Sequence, residues 1–104
     1  MIHSTVAAGR WQQMSIAEQL GNVGSEYERM VGARRKGNKE REVSARARYL
    51  ELLDLTLSDS RWAGPRRREL ARVREQSLVE FEKGNSQGTS RYFLQFATLA
   101  RSKH

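Results

Sequence analysis

Residues 15–38 read SIAEQLGNVGSEYERMVGARRKGN, and both ends and one face of a helix are legible in that stretch. The Ser15 hydroxyl can accept from the backbone N–H of Glu18 while the Glu18 carboxylate reaches back, which makes a capping box. Ile16, Leu20, Val23, Tyr27 and Met30 follow at spacings of four, three, four and three, a single α-helical stripe. The helix is predicted to run to Lys36. Gly37 can take the left-handed conformation that ends a helix, and Asn38 can cap the next one.

Outward from this stretch, a second helix is predicted over Lys39 to Leu57, with Val43, Ala47, Leu50, Leu53 and Leu57 on its core side. Leu52 and Leu55 point nearly the opposite way. A helix apolar on two sides is central or shared, and a chain of 104 residues has little room for a central helix, so Leu52 and Leu55 are the expected oligomer interface. Pro65 suits the first position of a third helix, with Leu70, Val73, Ser77, Leu78 and Phe81 inward and Gly84-Asn85 as the stop. A short fourth helix is expected after a polar loop over Ser86 to Ser90, capped by Thr89 or Ser90, with Tyr92, Phe93, Phe96, Leu99 and Ala100 on one face. Lys36-Gly37-Asn38 and Lys83-Gly84-Asn85 recur 47 residues apart, which fits either a duplicated hairpin or common stop chemistry. The predicted fold is all-α: an antiparallel up-and-down bundle of three long helices and one short C-terminal helix, spanning 15–104 behind an N-terminal extension, 1–14.

Composition narrows the function more than it names it. The chain has no cysteine, so disulfides, thiolate metal sites and cysteine nucleophiles are excluded. No run approaches the roughly 20 apolar residues that span a bilayer, and Met1 to Met14 lacks a signal-type apolar core; a cytoplasmic, soluble chain without a membrane role is expected. His3 and His104 stand at opposite ends, which removes histidine-pair metal motifs. Glu51 and Asp54 share a helix turn but read as solvated or ion-paired carboxylates. No catalytic residue, cofactor or metal is expected.

Charge is the positive signal. The chain carries a formal net charge of +7, and 15 of its 19 basic residues are arginine. One window holds Arg34, Arg35, Lys36, Lys39, Arg41, Arg46 and Arg48 against Glu40 and Glu42; the other holds Arg61, Arg66, Arg67, Arg68, Arg72 and Arg74 against Glu69 alone. Arg66 to Arg68 stand in the first turn of a helix, where cations are disfavoured by about 0.3–1 kcal/mol each. A phosphate site would justify them, since guanidinium forks and helix-terminal N–H groups can converge on one anion; a solvated arginine-rich surface is the alternative. A basic band along the second and third helices could meet successive phosphates. No RNA-recognition aromatic motif or Gly-X-X-Gly loop is present, so backbone or shape readout is expected. An acidic protein surface is the competing partner.

Within the stripes, Asp54 and Arg74 fall at the same height on the second and third helices; either they pair across the interface and fix the register, or they are two rim charges that reach water. Gly21 and Gly24 should cost the first helix about 1 kcal/mol each relative to alanine; close approach of another backbone would justify them, and glycines simply tolerated within a helix held by its stripe are the equal alternative. Trp11 and Trp62 read as packing anchors at bundle ends.

The phrases EQLGNVGSE (18–26), LLDLT (52–56) and YFLQF (92–96) resemble those of short, mostly uncharacterised prokaryotic helical proteins. In size, basicity and four-helix pattern the chain also resembles, more loosely, the accessory variability proteins of diversity-generating retroelements and the bundle proteins encoded in ribosomal RNA intervening sequences. That likeness implies a ring-like homo-oligomer whose basic surface engages RNA and a reverse transcriptase.

Overall fold

Helix signals in the sequence become an all-helical fold in the computed structural model, which describes residues 5–102, with side chains from Gly9 onward. The elements are α1 (Thr5–Gln12), α2 (Ile16–Arg35), α3 (Lys39–Leu57), a 3-10 turn (Ser60–Trp62), α4 (Pro65–Glu82) and α5 (Gln87–Ser102). There is no strand among them. Ser15 and Glu18 form the complete capping box, and the Asn38 side chain accepts from the Arg41 N–H. Pro65 opens α4. Gly37 and Gly84 adopt φ of 70° and 71°, and behind each the same two backbone bonds form: Gly37 N–H to Arg34 O with Asn38 N–H to Ala33 O, and Gly84 N–H to Phe81 O with Asn85 N–H to Glu80 O. Both Lys-Gly-Asn triplets are therefore Schellman stops.

Helix α2 is the hub. It packs most extensively on α3 and α5, and its Leu20, Val23, Tyr27 and Met30 are completely buried. Contacts order the neighbours: Gln19 meets Asp59, Tyr27 meets Tyr49 and Arg34 meets Glu42, so residue numbers rise along α2 as they fall along α3. Gly24 and Gly21 lie against Phe93 and Ala97 in the same reversed order on α5. A Cβ on Gly24 would sit 2.5 Å from Phe93 Cβ, and one on Gly21 would sit 3.2 Å from Ala97 Cα. The glycines exist to let α5 this close.

Across the core from α2, α4 closes the bundle with large side chains. Tyr49 Oη and Ser77 Oγ are 2.6 Å apart, and the Tyr27 hydroxyl donates to Ser86 Oγ at 3.0 Å and to Ser77 O at 3.3 Å. Tyr27, Tyr49, Phe81 and Phe93 stack edge-on or tilted around this point, at centroid distances of 5.2–6.5 Å. Burial raises the pKa of both tyrosine hydroxyls, so they remain neutral hydrogen-bonding groups.

Four sequence expectations change. The buried face of α3 is Glu42, Ala45, Tyr49, Leu53 and Thr56, whereas Val43 is 57% exposed and Ala47 is also exposed. Leucine content pointed to the wrong stripe because the close α2 contact selects small residues and the core selects hydroxyl-bearing ones. Helix α5 begins at Gln87, before Thr89, and its 16 residues make it nearly as long as the 18 of α4. Residues 5–12 within the expected extension form α1, whose Trp11 is buried in the same core. Leu52 and Leu55 are half-buried and border a cleft with Trp11 and Met14, so α1 covers part of the second apolar side of α3.

Candidate nucleic-acid interface

The predicted basic residues divide by what holds them. Arg34 donates to Phe81 O at 2.9 Å and to Glu42 at 3.0 Å, reaches Glu82 at 3.4 Å, and lies 4.0 Å above the Phe81 ring. Burial works against this cation, but Glu42 and Glu82 outweigh it and hold its pKa above the ordinary value. Arg34 is thereby a clasp between the ends of α2, α3 and α4. Arg46 pairs with Glu82 at 3.0 Å, Arg48 with Glu51 at 3.5 Å, Arg66 with Glu69 at 3.2 Å and Lys39 with Glu42 at 3.8 Å. Asp54 and Arg74 meet through two hydrogen bonds of 2.8 and 3.3 Å at the surface, not in the core. These carboxylates interrupt a continuous basic band along α3 and α4.

Arg61 belongs to a different structure. It donates to Asp59 through Nε and Nη2 at 3.1 and 2.8 Å, donates to Met14 O, and lies over the Trp62 ring. Gln19, fully buried, donates to Trp11 O and Asp59 and accepts from Trp62 Nε1 at 2.8 Å, while Trp11 Nε1 donates to Thr56. The Arg61 guanidinium, opposed by burial and joined by Gln19, holds the Asp59 carboxyl at about 2. Arg67 donates to Asp59 O at 3.3 Å, and its Nε is buried with no partner among the described residues. The cluster ties α1, α2, α3 and the 3-10 turn into one end of the bundle.

Arg35, Lys36, Arg41, Arg68 and Arg72 are exposed and form no ion pair among the described residues. Arg68 and Arg72 stand one turn apart on the outer side of α4. Arg35 borders a separate groove with Val31, Phe81, Gly84 and Arg91, whereas the neighbouring Lys36 and Arg41 stand at the α2–α3 turn, at the mouth of a groove between those helices. Basic residues frame that groove: Lys36 and Arg41 near the turn, Arg29 and Arg48 about two helical turns further along. Gly32, Ala33, Ser44 and Ala45 lie between them. Nothing stands within 4 Å of where a Gly32 Cβ would be. Glu26, Glu28 and Glu51 also border the groove, with Glu26 bound to Arg29.

Sequence reasoning passed over Arg29 and Gly32. The signal was present as two matching phrases, Arg29-x-x-Gly32-Ala33-x-x-Lys36 and Arg41-x-x-Ser44-Ala45-x-x-Arg48, each placing two cations seven residues apart around a small pair on one helix face. Among the described residues no cluster of histidine, aspartate or glutamate could hold a metal, and no helix is long and apolar enough to cross a membrane. His3 and His104 lie outside the described residues. The chain matches no protein-family model, no curated protein and no solved structure.

Proposed function

We propose that this protein is a non-enzymatic accessory protein, an up-and-down antiparallel bundle that self-associates and binds the phosphate backbone of nucleic acid, structured RNA before DNA. The observation that carries this reading is the pair Lys36 and Arg41, exposed and without an ion pair among the described residues, at the mouth of the groove floored by Gly32 and Ala45, with the equally unpaired Arg35 on the adjoining side of α2. Unpaired guanidinium and ammonium groups lose no internal partner when they meet phosphate, and a floor of small residues admits a strand close to the helix backbones. Arg68 and Arg72 supply a second patch. The resemblance to retroelement accessory proteins extends the reading to service of a reverse transcriptase.

Changing Arg35, Lys36 and Arg41 together to alanine should weaken binding to a structured RNA and reduce the slope of log K against log salt by about two to three. The same triple change at Arg66, Arg67 and Arg68 should reduce it by about one, because Glu69 and the Asp59 carbonyl already engage the first two. Gly32→Leu adds bulk to the groove without altering charge and should weaken binding while leaving the fold intact. An unchanged slope in the first variant would overturn the reading.

A second reading is an adaptor for an acidic protein. Glu26, Glu28 and Glu51 on the groove walls favour it, since they repel a phosphate chain but can pair with lysines of a mixed-charge segment. The absorbance ratio of freshly purified protein, followed by parallel titrations with RNA, duplex DNA and an acidic peptide, separates the two.

A further inference from the structure

The flank of α3 beside α4 carries a mirrored order of residues, of which Leu50 and Leu57 pack on the core with one side only. Counting from Leu50, Arg46 and Asp54 each stand four positions away, and Val43 and Leu57 each stand seven. At 100° per residue these five positions share a stripe about 80° wide, with Ala47 at its edge. The stripe is not the buried face of α3. Val43 is 57% exposed, Asp54 and Ala47 are exposed, and Leu50 and Leu57 are half-buried. On α4, Arg74 and Glu82 reach Asp54 and Arg46, so Leu78, midway between them and half-buried, extends the apolar strip sideways.

We propose that this stripe is the contact face for a second copy of the chain, with two α3 helices packed antiparallel about a two-fold axis at Leu50. Under that symmetry each position faces the one equally far beyond Leu50, so Val43 meets Leu57 of the second copy, Leu50 meets Leu50, and Arg46 meets Asp54. An isologous contact must be self-complementary, and this order of apolar, positive, apolar, negative, apolar residues is self-complementary only when reversed. A parallel arrangement would place Arg46 against Arg46 and Asp54 against Asp54. The internal bridges remain, because each edge of the interface becomes a row of alternating charge, Glu82, Arg46, then Asp54 and Arg74 of the second copy. The inference rests on the self-association part of the proposed function and not on nucleic-acid binding.

Sedimentation velocity on the full chain, without nucleic acid, tests it. The wild type should dimerise. Arg46→Glu gives a copy with two acidic positions and Asp54→Arg a copy with two basic ones, so each alone should dimerise about tenfold or more weakly. Mixed in equal amounts, they should form a heterodimer at least as readily as the wild type. Both changes break only surface bridges, and unaltered far-UV circular dichroism and melting temperature verify the fold; if either variant fails to fold, Val43→Glu, at an exposed position, replaces it and should also weaken the dimer. A wild type that stays monomeric overturns the proposal, as does a dimer indifferent to these changes or one lost instead through Leu52→Glu. A monomer that binds RNA sinks this inference together with the self-association it rests on and leaves the nucleic-acid reading standing, a dimer indifferent to these changes sinks this inference alone, and a dimer of the stated register that ignores RNA sinks the nucleic-acid reading alone.

Discussion

Gly24 and Gly32 occupy the same helix and make opposite demands. Gly24→Ala should destabilise the protein by about 1–2 kcal/mol, since the overpacking against Phe93 exceeds the gain in helix propensity. Gly32→Ala, facing open space, should stabilise it by about 0.5–1 kcal/mol; thermal melts of the pair check both signs. Asp59 supplies a titration. Its folded pKa of about 2 lies below the ordinary carboxylate value of 3.8, so its stabilising contribution is complete above about pH 4 and disappears as the pH falls through 2. Denaturant titrations between pH 5 and 2 should show a decline of roughly 2 kcal/mol from this group, and Asp59→Asn should flatten that part of the profile. The sequence showed that Gly21 and Gly24 needed a reason, but the reason was Phe93 and Ala97, some 70 residues away. Arg34 and Arg46 were likewise readable as cations and unreadable as clasps, because Glu82 and the Phe81 carbonyl approach them only when α4 folds back.

The boundaries of α2, α3 and α4 were legible because local chemistry sets them. Ser15 and Asn38 accept orphan N–H groups, Pro65 contributes a fixed φ, and Gly37 and Gly84 turn left-handed. Asn38→Ala should therefore cost about 1 kcal/mol, detectable as a lower melting temperature. Which way α3 faces was not legible, since hydrophobicity alone ranks Val43 and Leu57 above Tyr49 and Thr56. The core prefers the latter pair because Ser77 and Trp11 satisfy their hydroxyls. Helix α1 gave no amphipathic signal, and among its described residues Trp11 anchors its end. Trp11→Ala removes both the buried indole and the Thr56 hydrogen bond, and should cost roughly 3 kcal/mol, releasing α1 so that protease cleaves before Ser15 first.

The two ends of the molecule differ in kind. Around Gln19 and Asp59 the polar groups are sealed among themselves, whereas around Lys36 and Arg41 they are open to solvent. All-α architecture could be anticipated from helix periodicity, and the basic character from counting. How much of that charge stays available could not, because it depends on acids brought in from distant helices. Trp11 and Trp62, the chain's two indoles, both hydrogen-bond into the sealed end, while Lys36 stands 17 residues further along the rod from Gln19, about 25 Å. Nature has thus wired the chain's intrinsic fluorescence to one pole only. An RNA docked at the far pole should leave tryptophan emission unshifted, whereas acidification should redden it, so one cuvette can report occupancy and unravelling as separate optical channels.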